Sequence, residues 1–144
     1  YVAEERYKKV GSIHCPVLKL DVAFNAKGLD HIKLKSWNKA RNEKDQYTRL
    51  KLLHLVPEII THSHTLQGEM SGNRFERVKI NSRWEHKMCL VNYFEFIAIV
   101  HSCRLRVIVK RVNGGPAYFW SVVPYWKQGN DRKKRMFEGN PEDD

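Results

Sequence analysis

"LVNYFEFIAIVH" (Leu90–His101), "RLRVIVKRV" (Arg104–Val112) and "AYFWSVVPY" (Ala117–Tyr125) are three runs of β-branched and aromatic residues with only short breaks between them. Such side chains suit the pleated, half-buried surface of a sheet. The "NGGP" at 113–116 adds glycines for the positive φ of a tight reversal. The runs therefore predict an antiparallel meander. Successive strand residues point to opposite faces, so Leu105, Val107 and Val109 turn one way and Arg104, Arg106, Ile108 and Lys110 the other. One face is apolar and the other basic. Strict alternation in the last run groups Phe119, Ser121 and Val123 against Tyr118, Trp120 and Val122. Ser121 is a lone hydroxyl among aromatics, and strand register decides whether it meets the basic row.

Upstream of the meander, "YVAEERYKKVGS" is mixed in charge and carries no clear pattern, while "CPVLKLDVAF" predicts a short strand ending near Phe24. A helix follows, with Asn25 as N-cap and Leu29, Ile32, Ser36 and Trp37 on one side. Lys27, His31 and Lys35, spaced by four, form a stripe on the opposite side, where His31 faces away from the core. "WNKARNEKDQYTRLKLLHLVPEII" reads as a second helix, capped by Asn42 with Asp45 reaching back. Leu52, Leu55, Val56 and Ile59 form its apolar face, and Pro57 breaks or restarts it. Tyr47 and Arg49 lie off that stripe, Arg49 suited to a surface ion pair or to a ligand. "THSHTLQGEMSGNRFERVKINSRWEH" is glycine-bearing and patchy, a predicted connecting loop with one short strand near Phe75–Ile80. Its His62 and His64 lack a third ligand at a recognisable spacing, so neither metal nor cofactor is expected.

Helices first and strands afterwards make an α+β domain, with N-terminal helices packed on a C-terminal antiparallel sheet. The 144 residues suffice for one domain, assigned here to 1–127, with a charged tail at 128–144, expected to be mobile, that ends "DRKKRMFEGNPEDD". The first residue is Tyr1 rather than Met, as expected of a domain from a longer protein. A net charge of +10 favours a polyanionic partner, nucleic acid above all. Cys15, Cys89 and Cys103 are odd in number and lack C-x-x-C spacing, and so read as reduced core thiols. No apolar run approaches the roughly 20 residues of a membrane helix. The expectation is a cytoplasmic protein with no membrane partner.

"VAFNAKGLDHIKLK" (22–35), "RLKLLHLVPEII" (49–60) and "RLRVIVKRVNGGPAYFWSVVPYWK" (104–127) occur in an order that resembles the phage-associated branch of the barnase, EndoU, colicin and RelE nuclease superfamily. The likeness spans Val17 to Lys127. It implies RNA cleavage without a metal, often as a toxin against tRNA or other RNA and sometimes paired with an inhibitor or immunity protein, on the open face of the sheet. Carried over by position, His31 matches a histidine of the first helix, Ser121 a polar residue of a late strand, and Arg106 and Lys110 the sheet cations. The sequence departs from barnase in having Glu95 as the only carboxylate on the central strands.

Cleavage of that kind uses the neighbouring 2′-hydroxyl as nucleophile, so protons must move and charge on the phosphorus must be stabilised. A histidine side chain ordinarily changes charge near neutral pH, so His31 is the expected proton carrier, with His101 as the second choice. The planar fork of Arg106 suits a phosphate, and Ser121 can donate a hydrogen bond to it. Lys35, Lys110 and Tyr125 are the expected substrate-binding residues, with Tyr118, Trp120 or Tyr125 available to stack a base. Each role has a plain rival: Trp120 and Phe119 as core, Ser121 as a satisfied strand hydroxyl, the helix stripe as a solvated face. The rival function is a non-catalytic RNA- or DNA-binding domain; a third is a protein-interaction module.

Overall fold

The computed structural model describes residues 2–36, 39–124 and 140–144; the side chains of Lys35 and Ser36 also lie outside the description. Helix α1 (Val2–Val10) leads into the hairpin β1 (Ser12–Cys15) and β2 (Leu20–Ala23). Then come α2 (Ala26–Lys33), a small ribbon of β3 (Leu34–Ser36) and β4 (Lys39–Ala40), and α3 (Glu43–Leu52). A 3-10 turn (Leu53–Leu55) joins α3 to α4 (Val56–His62). Four strands finish the fold: β5 (Gly68–Ile80), β6 (Arg83–Val100), β7 (Cys103–Val112) and β8 (Ala117–Pro124). The molecule is α+β. No helix among the described residues is long and apolar enough to cross a membrane.

The sheet order is β1-β2-β8-β7-β6-β5. Strands β5 to β8 form an antiparallel meander, but β2 joins β8 in parallel through Val22–Ala117 and Ala23–Tyr118, so the sheet is mixed rather than purely antiparallel. The segment 61–86 is no loop with one short strand. It holds the whole of β5 and the start of β6, joined by Asn81–Ser82 with both residues at positive φ. That is the reversal whose twist matches paired strands, and His101–Ser102 repeats it between β6 and β7.

The predicted apolar face is the core. Phe94, Phe96, Leu105, Val107, Val109, Phe119 and Val122 pack there with Leu29 and Ile32 of α2 and with Val56, Ile59 and Ile60 of α4. Strict alternation fails in β8, where the register shifts. Val109 faces Phe119 but Ile108 faces Ser121, so Trp120 is the extra residue of a bulge. The bulge sends Phe119 and Val122 into the core and turns Ser121 to the side of Ile108, Arg106 and Lys110. The chain "FWSV" thus keeps its core contacts while presenting its serine to the basic face.

Asn25 caps α2 as expected, its side chain accepting from the Gly28 N–H at 3.2 Å. Asn42 caps α3 by accepting from the Asp45 N–H at 2.7 Å. α2 is shorter than its stripe suggested, because the chain turns extended at Leu34. Lys35 therefore lies on β3 and not one helical turn beyond His31. Gly28 sits tight against β8: a Cβ there would stand 2.3 Å from the Phe119 carbonyl oxygen. This closeness brings His31 to the edge of the basic face.

Candidate functional site

Among the described residues, the buried polar and charged side chains gather in one place: His31, Arg41, Arg49, Arg106, Lys110, Ser121 and Asp144. β7 contributes Arg106 and Lys110, β8 contributes Trp120 and Ser121, and the helical segment contributes His31, Arg41 and Arg49. The parallel contact between β2 and β8 ends at Tyr118. Beyond it, β8 is flanked by α2 and α3 instead of a strand, which lets Arg49 reach the hydroxyl of Ser121 at 2.6 Å.

His31 was expected to face away from the core on an open face; instead it is buried. Its ring stacks on the Trp120 indole with centroids 3.9 Å apart. Arg41 donates from its Nη2 to the His31 Nε2 at 3.0 Å and from its Nε to the His31 carbonyl at 2.9 Å. The carbonyl belongs to the last turn of α2, where a cation satisfies an orphan acceptor and the negative end of the helix dipole. Because Arg41 has only donors, the Nε2 lone pair must be the acceptor and the imidazole is neutral. Burial, then the charges of Arg41, Arg49 and Lys110, push its pKa down to about 2, with a hydrogen bond to the Asp144 backbone opposing them.

The cations are held by carboxylates. Asp45 takes Arg49 at 2.6 Å and Arg41 at 3.6 Å; Glu95 takes Arg106 at 3.1 Å; Glu76 takes Lys110 at 2.7 Å. Four buried cations thus face three carboxylates from the folded elements. Burial lowers the pKa of Arg41 to about 10 and that of Arg49 and Lys110 in direction, with Asp45 and Glu76 opposing it. The Lys110 ammonium also lies 4.1 Å from the centroid of Trp120, a cation–π contact.

The basic face was expected to be open, but Asn140–Asp144 lies on it. The Asp144 carboxylate accepts from Arg106 at 2.7 Å, and its backbone oxygen accepts from Ser121 at 2.7 Å and from Arg49. Glu142 accepts from Lys110 at 2.9 Å and from the Tyr93 hydroxyl. The Trp120 Nε1–H is shared between the carbonyls of Pro141 and Glu142, at 3.1 and 3.2 Å. Burial and the nearby Glu76 push the Glu142 carboxyl up to about 8, against the pull of Arg74, but the Lys110 ammonium, 3.1 and 2.9 Å from its two oxygens, favours the anion, and that contact decides its state here.

Of the residues named from sequence, His31, Arg106, Lys110 and Ser121 stand together in this hollow. Lys35 has its side chain outside the described residues, and Tyr125 falls there entirely, as does the boundary at 127. His101 lies apart, in the turn between β6 and β7. Sequence reading missed Arg41, since nothing local marks a residue just before an N-cap as reaching back to the preceding helix. Arg49 and Asp45 carried a visible i, i+4 pairing signal, but one that suggested the surface. An aromatic on a strand is more often core than binding platform, and nothing in "FWSV" signals the bulge that gives Trp120 its place beside His31 and Lys110. No family model, no curated protein and no solved structure matches this chain.

Proposed function

We propose that the chain is an endoribonuclease that grips single-stranded RNA, tRNA being one candidate, in the hollow around Ser121 and cleaves it by attack of the 2′-hydroxyl. One observation carries the reading. The oxygens of Asp144 are received by Arg49, Arg106 and Ser121 at one point, a donor set equally suited to the non-bridging oxygens of a phosphodiester. In this reading Arg49, Arg106 and Ser121 bind the phosphate and offset charge as it gathers on phosphorus. Arg41 moves from the His31 Nε2 to the phosphate, and the freed lone pair takes the 2′-hydroxyl proton as the O2′–P bond forms; the P–O5′ bond breaks, and the 5′-oxygen leaves with a proton from solvent water. Lys110 serves a flanking phosphate, while Trp120, its two faces taken by the His31 ring and the Lys110 ammonium, holds those groups in place rather than stacking a base.

The order of elements also supports the nuclease-superfamily fold that the sequence resembles: helices early, a meander late, and a histidine of the helix beside the sheet cations. An inhibitor protein and a cytoplasmic location belong to the same proposal. The decisive experiment incubates purified protein with total RNA and tRNA in chelator and examines the ends. Expected are cleavage products with cyclic phosphate termini and loss of most activity in His31→Ala. Full activity in that variant removes His31 from the mechanism.

A second reading, a non-catalytic RNA-binding domain, is favoured by the tie between Arg41 and the His31 Nε2, which leaves the imidazole without a free lone pair. Binding with steep salt dependence but no cleavage at high protein concentration decides for it.

A further inference from the structure

We infer that Asn140–Asp144 is a releasable internal occupant of this hollow, a carboxylate-bearing competitor that an incoming polyanion must displace. The inference rests on the nucleic-acid reading of the site and adds its regulation.

The segment is shaped to present acid to the sheet. Asn140 folds it: its side chain accepts from the Glu142 N–H at 3.1 Å and donates to the Asp143 carboxylate at 3.1 Å, and its carbonyl accepts from the N–H groups of Asp143 and Asp144. This turn sends Glu142 to Lys110 and Tyr93 and Asp144 to Arg106, Arg49 and Ser121. Two anion subsites result, one at Lys110 and one at Arg106, Arg49 and Ser121, while the Trp120 N–H binds the segment's backbone at the Pro141 and Glu142 carbonyls. A strand of nucleic acid has the same alternation of anionic group and spacer.

The contacts that hold the segment are exchangeable. It carries three carboxylates, one amide and Pro141, and no large apolar side chain. Its grip is therefore almost wholly polar, and buried ion pairs of this kind return little beyond the desolvation they cost. Phosphates can replace the carboxylates contact for contact. The occupant has the advantage of its tether, since a linked group competes at an effective concentration on the order of millimolar. Beneath it, among the described residues, Asp45, Glu76 and Glu95 pair with the four buried cations.

The test follows the amide resonances of Glu142, Asp143 and Asp144 in the wild-type chain while single-stranded RNA, and separately pyrophosphate, is added. Expected is movement of all three to random-coil positions at saturation. Alongside, Glu142→Gln/Asp144→Asn should bind labelled RNA about tenfold tighter than wild type. RNA that saturates the protein while these resonances stay in place overturns the inference and leaves the nucleic-acid reading standing. Displacement by pyrophosphate with no RNA binding to either protein keeps the occupant and overturns the RNA reading. A double variant that binds RNA but no longer cleaves it makes the segment a supplier of a needed carboxylate, which overturns the inference too. If that variant misfolds, the wild-type titration alone decides.

Discussion

At His31 the imidazole is held neutral from two sides, by the guanidinium on Nε2 and by burial among cations. Its folded pKa of about 2 lies below the ordinary 6.5, so between these limits the unfolded chain takes up a proton that the folded chain refuses. The stability contributed by the neutral ring is present above pH 6.5 and is lost as the pH falls, by about 1.4 kcal/mol per unit. Urea unfolding from neutrality to about pH 5 should show a loss of about 2 kcal/mol from this group. His31→Phe, which keeps the stacking on Trp120, should remove that part of the slope. Asp45 makes the complementary case: it holds both Arg41 and Arg49, and Arg49 is fully buried. Removing one partner of a buried ion pair leaves a charge without compensation, so Asp45→Ala should cost about 3–5 kcal/mol by urea midpoint.

Among the elements, α2 and the hairpins place the site. The contact between Gly28 and the Phe119 carbonyl has no room for a methyl group, and the other side is backbone that cannot swing away. Gly28→Ala should destabilise by about 1–3 kcal/mol and push His31 off Trp120, visible as a change in indole fluorescence. The turns carry strain of the opposite kind. Ser82 and Ser102 stand at φ of 66° and 64°, where an L side chain costs energy and glycine does not. Ser82→Gly and Ser102→Gly should each raise Tm by roughly 2–4 °C, the shift for about 1 kcal/mol in a chain of this size. These turns also explain why β5 was hard to read. Its burial alternates from Ser71 on, but the inward positions Gly72, Arg74 and Glu76 are not apolar, so hydropathy does not mark the alternation, and "NS" is a poorer turn signal than "NG".

For the whole molecule, the net charge of +10 does not come from the cluster around Ser121, where Arg41, Arg49, Arg106 and Lys110 stand among Asp45, Glu76, Glu95, Glu142 and Asp144; the excess lies on other side chains. Single-stranded RNA bound at the cluster should lose affinity with salt at a log–log slope of about −0.7 per phosphate contacted. Lys110→Gln should make that slope shallower by about the same amount, as a salt series of binding titrations can check. A change at an exposed lysine such as Lys39 should leave it untouched.

Much of this was legible locally. The meander, the apolar and basic faces of β7, the caps at Asn25 and Asn42 and the restart at Pro57 all follow from side-chain period and turn chemistry, which act over a few residues. His31, Arg106, Lys110 and Ser121 could be nominated from residue type and likeness. What brought them together was tertiary: one extra residue at Trp120, the parallel seam of β2 with β8, and an acidic segment that returns to the sheet from far along the chain. Bulge, seam and return are set by packing between parts distant in sequence, where no periodicity records them. The amino-acid order therefore determined the meander, the two caps and which face of β7 is basic, while only the folded chain decided α1, the full length of β5 and the burial of that basic face beneath an acidic segment.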